Sequence, residues 1–424
     1  MSEVKSKTEK GIFYGWWIVL ACAFINFYLS GVYYSGFGLF FTSFVDDFGW
    51  SYGALSLAFS LRTAETGLFA PILGFLVDRL GPRKLMVLGA LISCLSAFWL
   101  SQVNSLLGFY GALLLFGLGT GPLVHAIVPM TALANWFHKG IGKASGLVVI
   151  GVGLGGFLVP ALAWFLNGYG WRTSMIAIGI GFFIICTPLS LIVRHKPEQY
   201  GYLPDGKAET GIESKSGTSE ARNLAEVEYT ARQALKTFNF WLIFIITSLI
   251  TLPIIAVMVH AIPYLESVGF SKQNAALVVT IITVTSIGGR ALFGWLADVF
   301  DKRKLLAVDA ALLAAGILIF AHMHSMVLLF PLLITYCFGW GGYQPLRPAI
   351  LREYFGRGAF GTISGIALIG PTLGAIIGPI ILGQVFDITG RYYLGWIIIT
   401  LAVAMAVPLS LMIRPPGRNT KANI

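Results

Sequence analysis

Residues 279–304 read VTIITVTSIGGRALFGWLADVFDKRK. The first part of this stretch is apolar enough to lie in lipid, yet Arg290 sits inside it. The last part is a charged turn carrying Gly294, Asp298, Arg303 and Lys304. The same residue types recur much earlier as Gly74, Asp78, Arg83 and Lys84, each 220 positions before its copy. One segment therefore holds a charge within an apolar run and half of an internal repeat. Counting back 220 from Arg290 lands on Ala70, so the repeat accounts for the turn and leaves the arginine as an addition.

Working outward, the whole chain of 424 residues is 56% hydrophobic and 11% charged. Soluble domains average about 25% charged residues, so lipid is the solvent this surface suits. Apolar runs of about 20 residues, the length needed to cross a bilayer core, occur twelve times. They lie near 14–38, 52–76, 84–102, 106–132, 144–167, 174–193, 239–263, 274–297, 305–322, 327–349, 361–384 and 393–412. The chain is expected to be an all-α integral membrane protein with twelve transmembrane helices in two pseudo-symmetric six-helix bundles. The expected division is an N-terminal bundle over 1–193, a polar cytoplasmic linker over 194–237 and a C-terminal bundle over 238–424. Within the linker, Thr230 and Gln233 have capping-box spacing ahead of an apolar run, which predicts a short helix there.

The net charge of +10 invites a nucleic-acid reading, and its distribution excludes one. With the N-terminus in the cytoplasm, 24 of the 29 Lys and Arg fall on the cytoplasmic side and three, Arg172, Lys272 and Arg391, on the other. That asymmetry is the positive-inside pattern, and it predicts a multi-pass protein of the plasma (bacterial inner) membrane with both termini cytoplasmic. The remaining two, Arg62 and Arg290, lie within spans. The four cysteines, Cys22, Cys94, Cys186 and Cys337, all fall in apolar runs without metal-ligand spacing, and they read as small buried residues.

The repeat extends past the charged turn. Ser145, Gly146 and Pro160 match Ser364, Gly365 and Pro379 at a separation of 219, and His125 falls opposite Gln344. Gly151 and Gly155, then Gly370, Gly374 and Gly378, have small-xxx-small spacing, which lets helices approach closely. Two parallel six-helix halves are the architecture of one large class of transporters, with a substrate site between halves near the midplane.

The run Gly74-x-x-x-Asp78-Arg79-x-Gly81-x-Arg83-Lys84 resembles the signature of the major facilitator superfamily, and Gly294, Asp298 and Arg303 form its degenerate copy. The resemblance covers nearly the whole chain. It implies gating for Gly74, Asp78, Arg83, Asp298 and Arg303. The Asp78 carboxylate can accept hydrogen bonds from a neighbouring helix end, and the basic residues can hold carboxylates or lipid head groups.

A charge inside the membrane is costly, and each one is a functional hypothesis. Arg290 lies eight residues before Asp298, roughly 12 Å along the helix, too deep to reach water easily. Its planar fork suits a carboxylate. An arginine in the eighth span, together with the opening Tyr14-Gly15-Trp16-Trp17, resembles the monocarboxylate transporters and the related oxalate–formate exchangers. Animal members carry an aspartate where this chain has Ser286 and a lysine where it has Tyr34, so the resemblance implies the anion site and leaves proton coupling open.

Other candidate cavity residues are Tyr33 and Tyr34 in the first span, His125 in the fourth, and Tyr343 and Gln344 in the tenth. The last two share a stripe with Tyr336, Trp340 and Arg347. Histidine as a residue type titrates near physiological pH, so His260 is a candidate proton carrier, as is Glu65, which is spaced to pair with Arg62. Asp309 is the other carboxylate well inside a span. No P-loop, nucleophile elbow or metal-ligand cluster is present in the sequence, so no enzyme activity, cofactor or metal is expected. The expected function is secondary active transport of small monocarboxylates such as lactate or pyruvate, coupled to protons, with membrane lipid as the surrounding partner. The alternatives are an anion exchanger of the oxalate–formate kind, a multidrug exporter, or a sensor. The core arginine disfavours cationic drugs, and the short linker disfavours a sensor.

Overall fold

The computed structural model describes residues 13–36, 39–50, 52–124, 126–138, 140–206 and 228–414. In chain order its α-helices are α1 (Tyr14–Leu29), α2 (Phe40–Phe48), α3 (Tyr52–Leu80), α4 (Pro82–Ser101), α5 (Leu106–Thr120), α6 (Val128–Trp136), α7 (Ile141–Leu154), α8 (Val159–Gly181) and α9 (Thr187–Ile192). Then follow α10 (Ala231–Leu235), α11 (Phe238–Ser267), α12 (Lys272–Val299), α13 (Lys302–Ala321), α14 (Leu329–Leu332), α15 (Phe338–Phe355), α16 (Phe360–Ala367), α17 (Ile369–Thr389) and α18 (Tyr393–Met412). The described residues contain no strand.

Among the described residues, nine helical segments are long and apolar enough to cross a membrane. One of them, Ile141–Ile192, has 52 residues. At 1.5 Å per residue it would be about 78 Å long, far beyond a bilayer core of about 30 Å. Gly170, with φ 78°, breaks it into two crossings inside α8. With α3 and α5 added, the twelve crossings are complete. Apolar side chains such as Leu68, Phe157, Trp164 and Leu401 stand exposed, while Asn26, Ser93, Thr131, Arg290 and Asp309 are buried. Lipid as solvent produces that inversion, because a polar group facing hydrocarbon finds no hydrogen-bond partner.

The described residues form two compact units. The first lies within Met1–Gly140, Leu147–Gly211 and Phe360–Gly365, and the second within Ile141–Gly146, Ile212–Ala359 and Ile366–Ile424. In the first unit α4 packs on α5 and α8. Gly151 and Gly155 let the backbone of α7 and the turn after it sit against Ala23, Phe27 and Ser30 of the first crossing. The Tyr14 hydroxyl donates to the Ile192 carbonyl and the Trp136 indole to the Arg194 carbonyl. The Arg194 guanidinium lies 3.9 Å from the Tyr14 ring centre, so both ends of this part of the chain are tied to the same aromatic cluster.

In the second unit α11 packs on α17, α13 on α18 and α12 on α15. Gly370, Gly374 and Gly378 meet the backbone of Phe244, Ser248 and Leu252, where a Cβ would overlap a carbonyl. That stripe fixes how closely α11 and α17 approach. The capping box at Thr230 and Gln233 is formed in both directions at the start of α10.

The fourth crossing departs from the sequence expectation. Apolarity runs through 106–132, yet α5 ends at Thr120 and α6 begins only at Val128. Pro122 has no N–H to give a helix, and Gly121 precedes it. The first and tenth crossings contain π-helical turns instead, at Ser30–Ser35 and Leu333–Cys337. Such turns leave a crossing intact while rotating the side chains beyond them.

Candidate functional site

The two charged turns each place a carboxylate at the start of another helix. Asp78, near the end of α3, accepts from Gly361 N at 2.9 Å, Thr362 N at 2.7 Å and the Thr362 hydroxyl at 2.6 Å. These are donors in the first turn of α16, where backbone N–H groups lack intrahelical acceptors. Asp298, near the end of α12, accepts from Gly142 N at 2.7 Å and Lys143 N at 2.9 Å, the start of α7. A carboxylate there also meets the positive end of the helix dipole. Gly74 lies one turn before Asp78, and a Cβ on it would collide with the Gly361 carbonyl. The repeat thus reproduces a whole contact: glycine, carboxylate and facing helix end.

The basic residues of the two turns differ. Arg83 is exposed. Arg303 donates to Asp301 Oδ2 at 2.6 Å and to the Ile413 carbonyl at 3.1 Å. The guanidinium of Arg303 holds the Asp301 carboxyl below the usual carboxylate range, and Asp301 also caps α13 through Arg303 N.

Arg290 is 3% exposed. Its guanidinium carbon lies 5.8 Å from the centre of the Trp340 ring on α15. The backbones of α12 and α15 touch here: a Cβ on Gly289 would meet the Phe338 carbonyl, and one on Gly341 would meet the Ser286 carbonyl and Arg290 N. This close approach is what glycine at both positions permits, and it carries Trp340 to the arginine. A ring beside the guanidinium is attracted to it and consumes none of its five N–H donors. The Ser286 hydroxyl donates to the Thr283 carbonyl of its own helix at 2.7 Å.

Tyr343 is buried on the same helix as Trp340, with Thr251 and Arg347 beside its hydroxyl. Gln344 is half-buried, and its Oε1 has no hydrogen-bond partner among the described residues. His260 is half-buried, with Nε2 3.2 Å from the Pro379 carbonyl and its ring against Tyr392. These residues and Arg290 all belong to the second unit. Tyr33, Tyr34 and Glu65 belong to the first. Tyr33 is 2% exposed and packs edge-on against Phe116 and Tyr34, while Tyr34 is 43% exposed. Glu65 is buried, with its carboxylate against Gly117 of α5. His125 and the side chain of Arg62 lie outside the described residues.

Sequence reasoning did not single out Gly361 and Thr362, or Gly142 and Lys143, as partners of the two aspartates. The signal was present: both pairs are 219 apart, the same offset as the serine, glycine and proline repeat of those helices. The contact between Gly342 and Asp309 joins two helices and carries no local sequence signal.

A twelve-helix membrane protein with this paired turn is a transporter and not an enzyme. Residues 16–379 match the model of the Major Facilitator Superfamily, with a second match over 250–423, and the chain belongs to that superfamily. Among curated proteins it is 24% identical to monocarboxylate transporter 13 of Bos taurus, over 91% of this chain and 86% of that protein. It is 23% identical to the oxalate:formate antiporter of Oxalobacter formigenes, over 80% of this chain and 78% of the other. Among solved structures, the proton:xylose symporter XylE bound to 6-bromo-6-deoxy-D-glucose superimposes with a TM-score of 0.74 at 17% identity, covering 95% of this chain and 96% of that one. FucP in its outward conformation gives 0.67 at 17% identity, covering 94% and 98%. These last two likenesses concern the fold.

Proposed function

We propose that the protein is a secondary active transporter of small monocarboxylates of the lactate and pyruvate size, working by alternating access as a proton symporter. The observation that carries this reading is Arg290, 3% exposed inside a crossing where the repeat has Ala70. A guanidinium in a membrane costs several kcal/mol and binds a carboxylate through two parallel hydrogen bonds. A bound anion neutralises the charge that otherwise opposes reorientation, and a proton moved together with the anion makes the net transport electroneutral. Similarity to a monocarboxylate transporter over most of both chains supports the substrate class.

In this reading Tyr33, Tyr34, His125, Tyr343 and Gln344 line the route of the anion, and His260 and Glu65 are groups through which protons couple. Gly74, Asp78, Arg83, Asp298 and Arg303 belong to the gates: a carboxylate that caps a helix end holds one conformation and releases it in another. The six-helix halves over 1–193 and 238–424, joined by the 194–237 linker, lie in a bacterial inner membrane with both termini cytoplasmic.

A second reading is exchange of two anions, as the name of the oxalate:formate antiporter relative states for that protein. The residue that favours it is Ser286, a neutral side chain bonded to its own helix. One experiment separates the two. Protein in liposomes is given labelled lactate with and without an inside-alkaline pH gradient, and labelled oxalate with formate inside. Symport predicts gradient-driven lactate accumulation. Arg290→Ala is expected to lower that uptake at least about tenfold, the equivalent of losing one charged hydrogen-bonded pair. Lactate uptake indifferent to the gradient removes the symport claim, and unchanged uptake by Arg290→Ala removes the arginine from the site.

A further inference from the structure

The repeat is broken at a second place, and the break again introduces a charge. Asp309 on α13 is fully buried, at 0% exposure. Neither carboxylate oxygen has a hydrogen-bond partner among the described residues. Counting back 220 lands on Gly89 of α4. The surroundings repeat as well. A Cβ on Gly89 would meet the Gly119 carbonyl and the ring of Pro122. The residues 220 further on are Gly339 and Gly342, and these are the ones that Asp309 meets: its backbone carbonyl lies against Gly339 and its Oδ1 against Gly342. Where the first copy has a proline ring, the second has a glycine, and the carboxyl occupies the room so made. Phe293 of α12 closes the other side of Gly342.

We infer that Asp309 is a proton-binding site of the transport cycle, holding its proton as the neutral acid in its buried setting. This deepens the proton-symport reading and rests on it. A carboxylate with no donor around it in a low-dielectric interior is far more costly than the neutral acid. Binding joins one proton to the carboxylate to give the acid. Release to water through the end of α13 that begins at Lys302 restores the carboxylate, and no other bond changes. Asp309 lies seven residues into α13, about 10 Å from that end, so a modest opening there lets water in.

The titratable groups around the site come from each neighbouring helix. On α15 they are Tyr343 and, beside its hydroxyl, Arg347. On α12 the contact is apolar through Phe293, with Arg290 and Asp298 the ionisable residues nearest it in that helix. The Leu333–Cys337 turn brings Tyr336 against Gly316 of α13. The titratable residue of α18 is Tyr393, at its first position. On α11, Tyr264 donates to the Phe320 carbonyl at the far end of α13, and His260 bonds to Pro379. None of these is a cation paired with Asp309, which is why the site is free to take a proton.

Two measurements test this. The first needs no substrate: infrared spectra of the protein in lipid are recorded across a neutral-to-alkaline titration. A protonated-carboxyl band present at neutral pH in the wild type and absent in Asp309→Asn is expected. An identical band in both proteins overturns the proposal. The second uses liposomes and lactate. Asp309→Asn and Asp309→Ala are expected to keep lactate–lactate exchange, which moves no net proton, and to lose at least about tenfold of gradient-driven accumulation, the scale of one missing proton step. Accumulation at the wild-type level in either variant overturns the proposal. A wild type that moves no lactate sinks the function reading instead, and the infrared band still decides whether Asp309 holds a proton. The alanine variant guards against misfolding of the asparagine one.

Discussion

The turn between α3 and α4 and the turn between α12 and α13 are two copies of one device, and they diverge in a consistent way. Both keep a glycine one turn before an aspartate, and both aspartates accept from the start of another helix. Beyond that contact the copies part. The first continues through Gly81, with φ 80°, into Pro82. The second continues through Asp301, which caps α13. Deeper in the membrane the first has Ala70 and Gly89, and the second Arg290 and Asp309. Helix starts need acceptors whatever a protein does, so that part of the repeat persists. Charges in a membrane are kept only where something uses them. Both of these additions fall on the second copy.

The strongest way to break this comparison is through the glycines. A Cβ on Gly74 collides with the backbone carbonyl of Gly361, whereas one on Gly294 would lie 2.9 Å from the Gly142 carbonyl oxygen. Backbone cannot rotate away as a side chain can, and overpacking costs up to about 3 kcal/mol. Gly74→Ala is expected to cost that much and Gly294→Ala about a third of it. Tryptophan fluorescence during heating in lipid nanodiscs, at one scan rate, reads the difference. Equal losses would show that the two contacts are equally tight.

The aspartates come next. Asp78 accepts three hydrogen bonds and Asp298 two. Removing a cap costs about 0.5–2 kcal/mol, so Asp78→Ala is expected near 2 kcal/mol and Asp298→Ala near 1 kcal/mol. The same heating experiment measures both. A larger loss at Asp298 would contradict the ranking by donor number.

These contacts also show what the sequence can and cannot reveal. Twelve crossings are legible because bilayer thickness fixes a length and hydrocarbon tolerates few charges. The break after Thr120 is hidden, since Gly121 and Pro122 sit inside an apolar run that hydropathy joins into one span. Arg290 stands out as a lone charge. Asp309 also stands out, but its setting, without a hydrogen-bond partner among the described residues, depends on Gly342 facing it from another helix, and no local pattern encodes that. Asp78 is legible as an acceptor from its motif, while its donors, 283 and 284 positions away, become visible only through the 219-residue offset.

The third hydrogen bond sharpens the comparison. Thr362 is matched by Lys143 in the other copy. Thr362→Val removes the hydroxyl donor to Asp78 and keeps the shape, at an expected cost of about 1 kcal/mol. Lys143→Thr supplies such a donor to Asp298 and is expected to stabilise by a similar or smaller amount, about 0.5 kcal/mol. If the second change has no effect on the unfolding midpoint while the first does, the geometry of the two caps differs in more than donor count.

The smallest effect belongs to Asp301, the residue that replaces Gly81. Asparagine caps a helix as well as aspartate does, so Asp301→Asn isolates the charge interaction with Arg303. The pair is partly exposed to solvent, and such pairs contribute under about 1 kcal/mol. Because Arg303 depresses the Asp301 carboxyl, the contribution is fully present above the unfolded value of about 3.9 and is lost as pH falls through the lower folded value. The unfolding midpoints of wild type and Asp301→Asn should therefore differ by a constant small amount from pH 8 to about pH 5 and converge only in stronger acid. A difference that grows toward low pH would mean that Asp301 gains stability on protonation, and Arg303 would then not be its main partner.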